Sequence, residues 1–525
     1  MVYYNFYYYI YMKKMKSLLL STLLLAIIGM LSACSSEKEN YLSSIPAQSS
    51  MVVKLNVTQL IDKSNVLNNP MISGMLMQAD QYVPETLKAK YEEIKQDPKA
   101  AGIDLQKPLA IAINMGDLNL ASNNAFSNTS VVCVAAISNA KKFDELMKDV
   151  IETEPSITLI ETENAKQIKL PEDEISMAYN DTRIVIVIGQ HMNAVTLANQ
   201  KAEASMLAQP NFTEFAANDK DCSMFMDYSW VMEVLTEAQK NMNAQTTVSP
   251  LQIEYMKDMS LYGSLNFETG KIVGNMKVYP SEAAREYMKV FYMKPTDKLI
   301  GLLPENSYLG FNFAVKDYSQ CLKYFGEEVR QQMEVLFKQY GFSEEIIDNI
   351  HGDILMGAYQ DPDNAMVPGI VVALQCKDRT LYNKIKELMM ITTEGDMFEI
   401  PNMGYCVTYV DDVLVISTQG LYDQCLASGK IKAWKKSWKD TPLGEVLKKG
   451  GIAIDFQAIC KHDLWSLVEG NQEAAMILSV LKQLETLTMQ MESMQETTGE
   501  LTLANKSKNA LEQIIAIGIG AAMMK

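Results

Sequence analysis

The chain has 525 residues, an apolar fraction of 48% and a formal net charge of −17. That apolar share belongs to a folded globular protein, and a chain this long exceeds one ordinary core, so two or more domains are expected. The acidic balance excludes nucleic acid and electrostatic docking on anionic lipid.

The first elements form an export signal. Lys13, Lys14 and Lys16 make a positive n-region, Leu18 to Met30 is apolar, and Leu31-Ser32-Ala33 leads into Cys34. This is signal-peptide anatomy ending in a lipoprotein cleavage site. The apolar run falls short of the roughly 20 residues that span a bilayer. A diacylglyceryl group on the Cys34 thiol, with a further acyl chain such as palmitate on the new amine, gives a stable anchor where one chain is marginal. Residues 1–11 fit no n-region, so translation is expected to start at Met12 or Met15. The organisation expected is a signal peptide over 1–33 and a lipidated tether over 34–44. Removing residues 1–33 removes three lysines and no acid, which leaves a net charge of −20.

After the tether the chain repeats itself. Ile45-Pro46 opens a run in which Ser49, Met51, Val53, Leu55 and Val57 recur every two residues. Leu303-Pro304 opens another, with Ser307, Leu309, Phe311, Phe313 and Val315. Period two predicts half-buried strands. Pro108 to Asn114 parallels Ile354 to Tyr359, and Val131 to Ile137 parallels Ile370 to Gln375. A helix follows each, with stripes Phe143, Met147, Val150 and Leu381, Ile385, Leu388. Ile168 to Pro171 matches Phe398 to Pro401. Hairpins follow, turning at Asn180-Asp181 and Asp411-Asp412, residues that tolerate positive φ. Met224 to Asp227 matches Ile452 to Asp455. Two further hairpins bend at Thr269-Gly270 and Thr498-Gly499. Helices close each half, Ser281 to Met293 capped by Ser281, and Lys506 to Ile515.

The fold class expected is α+β, as two tandem related domains, each a mainly antiparallel sheet with helices packed on one face. The first domain is placed at 45–293, with a helical insertion near 68–102, and the second at 303–525. A hinge is expected at residues 294–302.

A search for chemistry returns little. Only three histidines exist, His191, His351 and His462, on different elements; His191 is read as starting a helix and His462 as lying in a solvated turn. No metalloprotease, nucleophile-elbow, P-loop or dinucleotide motif is present. Asp227 and Asp455 are the best-matched acids; each is read as a cap on the following helix. Asp361-Pro-Asp363-Asn364 opens like a calcium loop but lacks its Gly and distal Glu. Methionine is abundant, with 35 residues. Met489 and Met491, on one strand face, read as core rather than as copper ligands, as do Met71, Met75 and Met77. Of the eight cysteines, the seven besides Cys34 are spread without a CxxC pair and read mostly as buried thiols, with one or two disulfides left open. Lys430 to Lys439 is a basic patch whose Trp434 and Trp438 would share one face of a helix. They are the candidate contact residues, against a reading as core. The apolar run Ile514 to Met524 is too short to span a bilayer and is expected to enter the core. No catalytic, cofactor or metal residues are assigned.

The cleavage site at Cys34, the run IPAQSSMVVKLNV and its echo LPENSYLGFNFAV, the YNDTRIVIVIG and YVDDVLVIS hairpins and the terminal NKSKNALEQII helix together resemble an uncharacterised lipoprotein family of Bacteroidota, a domain of unknown function. The polar spacer Ser35 to Asn40 resembles the surface-export signals of such lipoproteins. The resemblance implies a lipid-anchored envelope protein at the outer membrane, periplasmic or surface-facing, with two related α+β halves. It implies no activity. Three functions stand as expectations: a non-catalytic binding or structural role, with an envelope protein, glycan or lipid as ligand; a lipid or lipoprotein carrier with an apolar groove; or a hydrolase with an unrecognised acidic site.

Overall fold

The computed structural model describes residues 40–523 apart from 69–79, 81–82, 116–128, 155, 171–173, 190, 233–255, 317–330, 332–333, 336–338, 340–343, 362–367, 393, 402 and 469. Cys34, the tether up to residue 39, Met71, Met75, Met77 and Asp363-Asn364 lie outside the described residues. The fold is mixed α+β, built on antiparallel sheet pairing. Two compact units result. One holds the described residues up to 232 with Ser260–Asn266, and the other holds 256–259 and everything from Phe267 onward.

The strands of the first unit are β1 (Met51–Leu55), β2 (Ile103–Asp104), β3 (Leu109–Met115), β4 (Thr129–Ile137), β5 (Thr158–Glu161), β6 (Lys166–Lys169), β7 (Ile175–Tyr179), β8 (Arg183–Ile188), β9 (Cys222–Asp227) and β10 (Ser260–Glu268). They pair in the order β10-β9-β1-β3-β4-β8-β7-β6-β5, with β2 beside β4, and every pairing is antiparallel. Its helices are α1 (Val57–Ser64), α2 (Glu85–Gln96), α3 (Ala140–Thr153), α4 (Ala194–Ala198) and α5 (Thr213–Ala217).

The second unit holds β11 (Lys271–Tyr279), β12 (Tyr292–Met293), β13 (Ser307–Val315), β14 (Ile350–Gln360), β15 (Pro368–Cys376), β16 (Met397–Ile400), β17 (Tyr405–Val410), β18 (Val413–Thr418), β19 (Gly451–Asp455), β20 (Leu484–Met491) and β21 (Glu496–Leu503). The order is β11-β21-β20-β19-β13-β14-β15-β18-β17-β16, again antiparallel throughout, with β12 beside β13. Its helices include α6 (Glu282–Phe291), α7 (Thr380–Leu388), α8 (Pro442–Lys448), α9 (Phe456–Cys460), α10 (Gln472–Leu481) and α11 (Ala510–Met523). From β10 to β6 and from β20 to β16 the two strand orders match position for position. Pro46 and Pro304 even make the same isolated bridge, to Ser205 and Ser437.

Local chemistry explains most of these elements. Asp411 and Asp412 take φ of 52° and 62°, the left-handed turn that joins β17 to β18 without splaying them. The Ser281 hydroxyl accepts from the Ala284 N–H and starts α6. The bend expected at Thr498-Gly499 lies elsewhere. The turn falls before Glu496, where the Ser493 hydroxyl accepts from the N–H groups of Gln495 and Glu496. Gly499 instead sits inside β21, opposite Gly274 and Met489.

The stretch expected as a hinge is core. Leu299, Ile300, Leu302 and Leu303 are buried, and the buried Asp353 carboxylate accepts from the Thr296 N–H at 3.0 Å. An apolar Leu-Ile-Gly-Leu-Leu sequence gains more from burial than from swinging in water. The C-terminal run departs from expectation the other way. It is helical in α11, but no residue from Leu511 to Gly520 is fully buried. No helix among the described residues is long and apolar enough to cross a membrane.

Candidate apolar binding face

In each unit one sheet face is buried over its central strands. In the first unit the Val52, Ala110, Ala112, Val132 and Val185 side chains are buried, and Phe225 meets Phe212 edge-on beside Phe215, the latter on α5. Lys54, on the same face and 1% exposed, donates from Nζ to the carbonyls of Ala216, at 3.0 Å, and Asn218. A cation at the C-terminus of α5 meets carbonyls with no partner inside the helix and the negative end of its dipole. Asn312 holds the same register in β13 and is also buried. Its amide donates to the Leu447 carbonyl at 3.0 Å, near the end of α8.

The opposite face differs. At one end it is covered, by α3 through Phe143, Met147 and Val150 in the first unit and by α7 through Leu381 and Tyr382 in the second. Away from those helices it is apolar and only partly covered; Ile186, Ile111 and Ile416 still pack against the edges of these cores. Strand register defines its rows, because residues directly opposite in antiparallel pairs share a face. One row of the second unit runs Ile416, Val372, Met356, Phe311, Ile452, Met489. The next runs Ile370, Ala358, Leu309, Ile454, Leu487, Leu501. In the first unit the matching rows are Ile186, Cys133, Ile111, Val53, Met224, Gly263 and Ile188, Val131, Ile113, Met51, Met226, Leu261. None of these positions carries a charge. Met356 is 42% exposed and Met489 41%, so Met489 is not the core residue its spacing suggested. A row of six strands spans about 24 Å.

An antiparallel sheet with a free face ordinarily puts polar side chains there. Two units that both keep apolar rows on a half-open face are built to have them covered. The methionines suit that use, since a flexible thioether side chain adapts to irregular partners.

The candidate contact residues of the basic patch lie elsewhere. The segment is not a helix. It runs extended beside 301–305, with the Trp434 N–H donating to the Gly301 carbonyl, the Trp438 N–H to the Leu303 carbonyl and the Glu305 N–H to the Lys436 carbonyl. Trp438 is 2% exposed and packs with Leu303, Leu355 and Leu447. Trp434 is half-buried, its indole N–H donating to the Leu302 carbonyl at 3.0 Å. The lysines point outward, Lys436 to Glu305 and Lys439 to Asp297. Ser437 caps the short turn at Trp438 as Ser205 caps the one at Met206, and Met206 is also fully buried. That Ser-Met/Ser-Trp correspondence was the legible signal that Trp438 is core.

The acids behave as caps. The Asp455 carboxylate accepts from the Ala458 N–H and starts α9; Asp227 accepts from Ser229 N–H. His191 is exposed and precedes a helix that Asn193 caps. His462 is not solvated. It is 5% exposed, its Nδ1 accepts from the Leu464 N–H, and its ring meets Tyr308 edge-on. Burial holds its pKa below the ordinary histidine value. Among the described residues no group of three or more His, Cys, Asp or Glu could hold a metal ion, and the six described cysteines are free thiols.

The family described as a domain of unknown function, DUF4836, matches residues 41–511. The chain belongs to this family. No curated protein matches this DUF4836 chain. Two solved structures share a loose likeness. "Structure of crystal form I of TP0453" is 9% identical, covering 47% of this chain and 81% of that one, with a TM-score of 0.26. "Structure of crystal form IV of TP0453" is 10% identical, covering 46% and 81%, with a TM-score of 0.27. Overlaps this loose carry no argument about the DUF4836 fold or its function.

Proposed function

We propose that this chain is a non-catalytic lipid-binding protein of the bacterial cell envelope. A lipid on Cys34 would anchor it to the outer membrane, as in lipoproteins of Bacteroidota. The two units would be related copies, each offering its half-open apolar face to an acyl chain. The observation that carries this reading is the pair of uncharged rows in each unit. Each methylene taken out of water there contributes about 0.8 kcal/mol, and no polar group on the rows opposes it.

The anchor is tested by Cys34→Ala. The variant should lose metabolic palmitate label and move from the membrane pellet to the soluble fraction; retention of label would overturn the anchor. The face is tested on the soluble Cys34→Ala form. Native mass spectrometry of it should find copurifying lipid. Met356→Glu with Met489→Glu should reduce that lipid severalfold, because a carboxylate on the row must be dehydrated against an acyl chain. Both positions already meet water, so folding should survive. Equal lipid in both forms, or none in the parent, would count decisively against the reading.

A further inference from the structure

The two units differ at one sheet edge. In the first, β6 is not the last strand, because β5 pairs with it: Thr158 with Lys169, Leu159 with Ile168, Ile160 with Gln167. In the second, β16 is the counterpart of β6, since Phe398 pairs with Val407 as Ile168 pairs with Met177. No strand pairs with its other side among the described residues. The chain explains why. From α3 to β6 there are 12 intervening residues, β5 among them, and from α7 to β16 there are eight. The missing four are the length of β5.

Hydrogen-bond parity identifies the exposed backbone groups. The Tyr409 N–H donates to the Asp396 carbonyl. In an antiparallel ladder inward- and outward-facing residues alternate. Phe398 and Ile400 therefore turn toward β17, while Met397 and Glu399 turn their N–H and C=O groups outward. In the first unit the same parity holds. The Thr162 N–H donates to the Ala165 carbonyl, which makes Gln167 and Lys169, the counterparts of Met397 and Glu399, the residues that bond to β5. The edge is short and carries one exposed charge, Glu399, the two protections it shows among the described residues. The two most exposed methionines among the described residues bracket it in the chain, Met390 at 88% and Met403 at 65% exposure.

We propose that the β16 edge is a docking site for an extended segment of a partner protein, which adds as an antiparallel strand in the position β5 holds in the first unit. The ligand chemistry follows from the register. An apolar side chain belongs opposite Phe398, as Leu159 stands opposite Ile168. A basic one belongs opposite Glu399, whose side chain is exposed. Main-chain bonds to Met397 and Glu399 supply affinity and these side chains supply selectivity.

The probe is a labelled peptide of the sequence Ser-Ile-Lys-Leu-Ile-Lys-Thr-Lys, patterned on Ser156 to Glu163 with lysines facing the acidic edge. Fluorescence anisotropy with the full mature chain should show saturable binding, absent for a scrambled peptide. Glu399→Pro removes one outward N–H, at an edge position where proline is tolerated, and should weaken binding about tenfold or more. Glu399→Lys leaves the backbone intact and should shift preference toward the same peptide with glutamates in place of lysines. Absence of saturable binding overturns the proposal, as does equal binding to Glu399→Pro or an unchanged preference in Glu399→Lys. A dimer of the chain that Glu399→Pro dissolves, with no peptide binding, would overturn it in favour of a second copy.

Discussion

Trp438→Ala should lower the unfolding free energy by about 3–5 kcal/mol, the cost of deleting a large buried aromatic side chain. The surroundings leave little room for collapse. A Cβ on Gly310 would lie 2.8 Å from the Trp438 ring, and one on Gly444 only 1.9 Å from its carbonyl oxygen, so the neighbouring backbone is already at contact. Trp434→Phe loses the indole N–H, its bond to Leu302 and part of a half-buried ring, and should cost about 1–2 kcal/mol. Denaturant unfolding of the two variants checks this. A Trp438→Ala loss below that of Trp434→Phe would return Trp438 to the surface, as a contact residue.

Stability at alkaline pH should report on Lys54. Burial lowers its pKa from the ordinary 10.5 to about 8, with the nearby Asp219 carboxylate acting in the opposite direction. Because the folded value lies below the unfolded one, the unfolded chain holds the extra proton between about pH 8 and 10.5. Folding releases that proton, so stability rises through the window, by about 3 kcal/mol. Below pH 8 the lysine is charged in both states and the cost of burying the charge is borne in full. Other groups oppose this trend. Burial raises the thiols of Cys133 and Cys376 to about 11 and that of Cys425 to about 12, which lowers stability above their ordinary value of 9. The comparison is therefore with Lys54→Met. The wild type should gain on the variant by about 3 kcal/mol from pH 7.5 to 10.5; a constant difference would mean that Lys54 titrates as an exposed lysine.

Much of the fold was legible because period-two runs and turn chemistry are local. Met51, Val53 and Leu55 announce a strand whatever lies around them, and Asp411-Asp412 announces a left-handed turn. What misled was the choice between alternatives that tertiary contacts decide. Trp434 and Trp438 stand four apart, which suits a helix, but Gly301 and Leu303 offer backbone partners to an extended chain. His462 looked solvated beside Lys461 and Asp463, yet its ring packs on Tyr308, which lies far away in sequence. Met489 alternates as a core residue should, and it does face an apolar row, but burial depends on what covers that row.

The sequence alone determined an antiparallel α+β chain with echoing halves, an acidic body and no recognised catalytic motif, because residue type, spacing and charge are properties of neighbours along the chain. The lipid anchor at Cys34 is a proposal that rests on the sequence. Only the tertiary structure decided which apolar positions are sealed and which stay half-open. Alternation tells a strand that it has two faces; it does not tell how many helices will reach each of them. Here α3 and α7 cover one end of the second face and stop, and β5 has no counterpart beside β16. Both features are outcomes of packing between distant segments.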